Sequence, residues 1–282
     1  MTPAVRVAYQ GESGAFSDEA IDACFGADAA LGVPRPNFGA LVQAVESGDV
    51  DFGMLPVENS IAGSVTAALD ALSKSDVSVI GEIIRPIRLC LLGVPGSDAA
   101  GLRRVLSHPV ALAQCQRFLA GLTGAEAIAV HDTAGAARMI ADAGDAESGA
   151  VAGRGAAVRY GLTVLAENIQ DRSDNQTRFF VLALPGTPAP WSDDAARPRR
   201  TALLLETQHR AGALVDALTA FSSAGISLTR IESRPGDEPW HYRFFLEIDA
   251  DTADPVVADA IAEAKRRSNR LRVFGSFPRL GS

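Results

Sequence analysis

Over the first two thirds of the chain, short apolar runs alternate with stretches whose apolar residues recur at helical spacing. Val5 to Tyr9 predicts a first strand and Gln10-Gly11-Glu12-Ser13-Gly14 a turn. Ser17 stands where it would cap a helix to about Phe25, with Asp18 and Glu19 in the first turn, where the helix dipole favours acids. Asn37 is the next cap, followed by Phe38, Leu41, Val42 and Val45 at helical spacing, with Gly48 as the stop. Val50 to Leu55 reads as a short strand running into Pro56-Val57-Glu58-Asn59-Ser60, then a turn at Gly63 and a helix from about Ser64 to Leu72. Val77 to Gly93 is a long strand-like stretch broken by Gly81 and Pro86, a crossing between two halves of a domain. Arg104 to Leu106 is a strand, and Ser107-His108-Pro109 opens a helix with proline in its first turn. That helix carries Leu112, Cys115 and Leu119 on one face and Gln114 on another. Glu126 to Val130, Ala150 to Gly153 and Thr177 to Leu184 are further strands. Asp132 caps a helix from Thr133 to Ala143, and Ala156 to Tyr160 is a shorter one. The alternation predicts an α/β layered domain with mainly parallel sheets.

The texture then changes. Pro185 to Pro198 is rich in proline and charge and lacks periodicity, which reads as a linker. After it, strands at Thr201–Glu206, Ile226–Ser233, Tyr242–Ile248 and Leu271–Phe277 interleave with helices at Ala211–Ala224 and Pro255–Arg267. The order βαββαβ is the ferredoxin-like arrangement.

Composition narrows the function classes. The 282 residues are 47% hydrophobic and 21% charged, as in ordinary globular proteins, and are enough for two domains. A net charge of -8 argues against a nucleic-acid surface but leaves room for a locally basic site. No apolar run approaches the roughly 20 residues that span a membrane, and the first residues lack a signal peptide's apolar core. Cys24, Cys90 and Cys115 are widely spaced in apolar surroundings, which predicts inert thiols in a reducing cytoplasm.

Candidate chemistry gathers in four polar clusters at strand ends or helix starts, where ligands of α/β proteins bind. They are Gln10–Gly14, Glu58-Asn59-Ser60, Ser107-His108-Pro109 with Gln114, and Asn175-Gln176-Thr177-Arg178. Each has a plain alternative: a turn, a cap beside proline, or Asn and Thr bonding their own backbone. No His, Cys and carboxylate set has metal-ligand spacing, and no nucleophile-elbow pattern is present. Neutral hydrogen-bond donors plus an arginine suit a small polyanion and a reaction in which charge develops on oxygen.

Five segments in one order, PVENS at 56–60, SHP with QC across 107–115, NQTRFF at 175–180, GALV at 212–215 and ESRP at 232–235, resemble the prephenate dehydratase family along essentially the whole chain. The resemblance implies a catalytic domain at 1–186 of periplasmic-binding-protein type II form, with two α/β lobes, the second roughly 78–163, and substrate between them. A linker at 187–199 and a ferredoxin-like ACT domain at 200–282 follow. Thr177 matches the threonine that donates a hydrogen bond or proton to the leaving ring hydroxyl. Glu58, Asn59, Ser60, Ser107 and Gln114 match cleft residues, and Arg178 and Phe179 complete the signature. Arg178 is open between binding a substrate carboxylate and holding its loop.

Gly212, Ala213, Leu214 and Val215, with Glu232, Ser233, Arg234 and Pro235, match segments that bind L-phenylalanine at a dimer interface for feedback control. Ser227 replaces the usual asparagine of the second ACT strand. The implied reaction, prephenate to phenylpyruvate, carbon dioxide and water in L-phenylalanine biosynthesis, needs no cofactor. A homodimer or homotetramer is expected. The chain opens directly on the catalytic strand, so a monofunctional enzyme is expected. Arogenate as substrate, or a non-enzymatic amino-acid sensor built from the same modules, are the alternatives.

Overall fold

The structure, a computed structural model, describes residues 5–191 and 197–280. Residues 192–196 of the expected linker lie outside the described residues, as do 1–4 and 281–282 of the expected domains. The first part runs β1 (Val5–Gln10), α1 (Phe16–Phe25), β2 (Ala30–Arg35), α2 (Phe38–Glu46), β3 (Phe52–Asn59), β4 (Gly63–Ser64), α3 (Thr66–Ser73) and β5 (Ser78–Pro86). A second lobe holds β6 (Cys90–Gly93), β7 (Arg104–Ser107), α4 (Pro109–Ala113), α5 (Gln116–Ala120), β8 (Glu126–Ala129), α6 (Thr133–Ala143), β9 (Ser148–Ala152), α7 (Arg154–Tyr160) and β10 (Thr163–Ala166). β11 (Gln176–Ala183) returns to the first lobe. The C-terminal unit is β12 (Arg199–Glu206), α8 (Ala213–Ser223), β13 (Leu228–Pro235), β14 (Tyr242–Ile248), α9 (Pro255–Arg266) and β15 (Arg270–Leu280).

Side chains cap four α-helix starts among the described residues, those of α2, α4, α6 and α9. Asn37 Oδ1 accepts from Ala40 N at 2.8 Å and Asp132 Oδ1 from Gly135 N at 2.5 Å, each satisfying an orphan amide. His108 Nδ1 does the same for Val110 N, beside Pro109. Ser17 does not cap α1: the helix starts at Phe16, and the preceding turn is closed by Gly14 N donating to Asp18 Oδ2 at 2.9 Å. The helix expected to run on past Gln114 breaks there, with Gln114 ending α4 and Cys115 preceding α5. β2, which contains Pro34, was not expected from the pattern; it lies at the sheet edge, where a missing N–H is tolerated.

β1 pairs in parallel with β2 and β3, and β7 with β8 and β9. The strands that cross between lobes, β5 and β11 on one side and β6 and β10 on the other, add to these parallel cores antiparallel. Ser78–Pro86, expected in the second lobe, pairs with β11 in the first sheet, so the second sheet begins at Cys90. The two crossings run side by side, with Ile87 N bonded to Asn175 O at 2.8 Å and Ile169 N to Leu89 O at 2.9 Å.

The C-terminal unit has strand order β13-β14-β12-β15 with α8 and α9 on one face, as expected of βαββαβ. Its other face lies on the first lobe. The buried side chains Ala202, Leu204, Phe245, Phe274 and Phe277 share one core with Leu41, Leu55, Phe180 and Leu182. β15 then pairs in parallel with β5 through Arg279 and Leu280, so one sheet spans both units. Gly275 permits that crossing, because a Cβ there would sit 2.0 Å from Val79 O. Trp191, within the expected linker, packs on Phe25 with ring centroids 6.1 Å apart.

Candidate active site

The site forms where β3, β11 and β5 lie side by side at the mouth of the interlobe crossing. Thr177 on β11 stands opposite Asn59 on β3 and Arg85 on β5. Paired strand residues share a face, so these three side chains project together. Asn59 Nδ2 donates to Thr177 Oγ1 at 3.0 Å and to Asn175 Oδ1 at 2.8 Å. Asn175 Nδ2 in turn donates to Gln114 Oε1 at 2.9 Å, and Gln114 Nε2 reaches Asn59 Oδ1 at 3.4 Å. Three amides from different segments thus form a closed ring, and one of them, Asn59, holds the threonine hydroxyl. Asn175 is 1% exposed and belongs to the ring. Sequence reasoning left it outside the catalytic set, although a polar residue opening an apolar strand was the available signal.

The expected cleft residues divide. Asn59, Gln114 and Thr177 come together. Ser60 pins the loop before β11: its Oγ donates to Asp174 O at 2.8 Å and accepts from Gln176 N at 3.0 Å. Ser107 is fully buried and donates to Val151 O at 2.6 Å, so its hydroxyl ties β7 to β9. Phe179 is 1% exposed and packs in the core with Val7, Tyr9 and Ile83, behind Thr177 and out of the cleft. Burial lowers the His108 pKa, which keeps its ring neutral in the capping role.

Glu58 and Arg178 face the other way. They pair across β3 and β11 one residue from Asn59 and Thr177, so strand alternation turns both toward the C-terminal unit. Arg178 Nη2 donates to Glu58 Oε2 at 2.9 Å and Glu247 Oε1 at 2.8 Å. Its Nη1 donates to Glu247 Oε2 at 2.6 Å and Glu82 Oε2 at 3.0 Å. The question left open by the sequence therefore closes on structure: this guanidinium is committed to three carboxylates and is not offered to the cleft. Burial works against the Arg178 charge, but Glu247 and Glu82 more than restore it and raise its pKa. Burial likewise opposes ionisation of Glu247, and Arg178, Arg230 and Arg200 overcome it, holding the carboxyl below its usual range.

The cation that does face the cleft is Arg85, half-buried near the end of β5 and not singled out from the sequence. It makes no hydrogen bond or ion pair among the described residues. Its charge acts on Glu19 of α1, whose pKa is raised chiefly by burial and drawn back by the Gly155 amide and Arg85. Glu19 Oε1 accepts from Gly155 N at 3.2 Å, and Glu12 pairs with Arg138 at 3.1 Å, so both join the lobes. Gly14 (φ +85°) sits at the same contact, where a Cβ would lie 2.8 Å from the Ala156 backbone. The turn 10–14 therefore serves lobe contact.

In the C-terminal unit, Gly212, Ala213, Leu214 and Val215 line a cavity of about 460 Å³ with His209, His241, Tyr242 and Phe244. The charged residues of the 232–235 segment do not reach it within this chain. Arg234 forms a two-pronged bond to Asp70 of α3 at 2.6 and 3.0 Å, and Glu232 bonds Ser64 and Arg230. Ser233 and Pro235 occupy the opposite, exposed face of edge strand β13; Ser233 stands beside Phe244 of the cavity wall. Burial pushes the Cys24 and Cys115 thiols up to about 12. No helix among the described residues is long and apolar enough to cross a membrane.

Residues 7–186 match the family model described as prephenate dehydratase, and residues 201–266 match that of the ACT domain. Arogenate dehydratase/prephenate dehydratase 2 of Arabidopsis thaliana is 39% identical over 288 residues, 97% of this chain and 73% of the plant protein. A solved structure of prephenate dehydratase in complex with L-Phe from Arthrobacter aurescens is similar at TM-score 0.88 and 32% identity, covering 98% of this chain and 90% of that one. The structure of GqqA, described as a novel type of quorum quenching acylase, is similar at TM-score 0.86 and 32% identity over 98% of both chains.

Proposed function

The chain belongs to the prephenate dehydratase family and carries an ACT domain, and from that premise we propose that it converts prephenate to phenylpyruvate under control by L-phenylalanine. The observation that carries this reading is the direction of one hydrogen bond. Asn59 donates to Thr177 Oγ1, which leaves the threonine's own O–H free to donate into the cleft. In the reaction the ring carboxylate leaves as carbon dioxide, and its bonding pair moves into the ring. The ring becomes aromatic, and the C–O pair departs with the hydroxyl, which takes up a proton to become water. Charge builds on that oxygen, and a positioned donor stabilises it. A threonine hydroxyl is too weak an acid to give up its proton early, so Thr177 acts as a hydrogen-bond donor.

Arg85 takes the carboxylate that stays with the product. A cation held against the departing carboxylate would retain the electrons that must enter the ring. Opposite residues on paired strands have Cβ atoms about 4.5–5.5 Å apart, so Arg85 and Thr177 can engage two groups of one small ring compound. The same cation favours the keto acid over arogenate, whose ammonium it would repel. L-phenylalanine binds in the cavity lined by Gly212 to Val215, and a second copy of the chain covers the exposed Ser233 and Pro235 beside it.

Phenylpyruvate release from prephenate, run in parallel with arogenate, is the test. The expected outcome is a higher kcat/KM for prephenate, with Arg85→Leu raising KM and narrowing the preference. Absence of turnover on both substrates would sink the reading.

A further inference from the structure

Glu58-Asn59 on β3 and Thr177-Arg178 on β11 form a matched pair of dipeptides. In each, one residue joins the amide ring of the cleft and its neighbour joins the ionic cluster on the opposite face. The centre of that cluster is Glu247, 3% exposed, from the ACT domain. Its carboxylate accepts from both terminal nitrogens of Arg178 and from Arg200 at 3.3 Å and Arg230 at 3.2 Å. Glu82 of β5 is tied in by Arg200 and, as an ion pair, by Arg279 at 3.1 Å. β14, which carries Glu247, also carries Tyr242 and Phe244, and these line the cavity beside Gly212–Val215. One strand therefore links the effector cavity to the side chain that grips β11.

We propose that Glu247 is a positioning residue for the reaction: an ACT-domain side chain that, through Arg178, fixes where Thr177 stands in the cleft. It rests on the dehydratase reading of Thr177. Sheet rigidity supplies the physical link, because adjacent residues of one strand cannot shift independently when both neighbouring strands are paired. A tilt of β14 on effector binding moves the Arg178 anchor and with it the Thr177 hydroxyl.

The test uses the full chain with Glu247→Gln, the double variant Arg178→Met/Glu247→Met, and Asp70→Asn. The last breaks the Asp70–Arg234 pair across the same junction without touching β11. Steady-state kinetics on prephenate with and without L-phenylalanine, melting temperature, and hydrogen exchange of the segment 174–181 are read. For Glu247→Gln, kcat falls about tenfold with KM within about twofold, the mark of an interaction felt in the transition state. Exchange in 174–181 rises, and any shift that L-phenylalanine causes in the wild type is lost. The double variant removes both charges of the pair at once, so neither is left facing a missing partner, yet kcat stays low. Asp70→Asn keeps kcat. Wild-type kcat and exchange in Glu247→Gln, recovery of kcat in the double variant, or an equal kcat loss in Asp70→Asn would each overturn the proposal. A wild-type chain inactive on prephenate sinks the dehydratase reading itself; an active one with any of those outcomes sinks only the role of Glu247.

Discussion

On the cleft face of β11, Thr177 is held by Asn59, one of a ring of neutral amides, and Arg85 beside it has no ion pair among the described residues. One residue later, on the opposite face, Arg178 is saturated by Glu58, Glu82 and Glu247. The difference separates two uses of polarity. Neutral donors orient a hydroxyl without adding a field that would resist charge movement in the substrate. Paired charges in a buried junction fix one domain on another, because removing either partner leaves an uncompensated ion.

That contrast is open to direct attack, and the largest effect is expected on the charged face. Arg178→Ala leaves Glu247 and Glu82 buried without their main partner and should cost about 3–5 kcal/mol of stability, measured by denaturant unfolding. On the cleft face Thr177→Ala should melt near the wild type but lose at least a hundredfold in kcat, about 2.7–4 kcal/mol for one lost donor. Near-normal turnover in Thr177→Ala would remove the assignment of the hydroxyl. Asn175→Ala, which strips partners from both Asn59 and Gln114, should cost about 1–3 kcal/mol and lower kcat as well. A variant that loses stability alone would make the amide ring a structural brace.

The smallest expected effect is in pH, where the two faces carry opposite signs. Glu247 has a depressed pKa in the folded state, so its contribution is present above the ordinary carboxylate range and lost as pH falls through its folded value. Glu19 has a raised pKa, so the folded state binds protons more tightly, and its contribution declines as pH rises from the ordinary carboxylate value through the folded one. Melting curves across acidic pH should show Glu247→Gln flattening the acid limb and Glu19→Gln flattening the fall on the higher side. Identical profiles for the two variants would remove the distinction.

Much was legible in the chain because it is local. Asn37 and Asp132 cap their helices from within one turn, and Pro109 sets the start of α4, so the pattern of side chains was enough. The βαββαβ order of the C-terminal unit followed from periodicity alone. β2 is not visible in the pattern of apolar residues, and its place at the sheet edge makes Pro34 harmless there. The pattern ends a strand at Leu55, before Pro56, whereas β3 runs on to Asn59 with one extra residue, Val57, opposite the step from Arg178 to Phe179 on β11.

By itself, the sequence determined most of the elements, the family and the presence of Thr177 among polar neighbours, since each rests on nearby residue types or on ordered motifs. Only the tertiary structure decided which way those neighbours point. Glu58 and Arg178 sit one position from Asn59 and Thr177, and a strand's period of two sends adjacent residues to opposite faces. Which face meets the cleft and which meets the ACT domain depends on packing between segments more than a hundred residues apart, as in the Asn59–Thr177 bond across 118 positions. Arg85 shows the same limit: an arginine near the end of a strand has no local signal, and register alone brings it opposite the threonine.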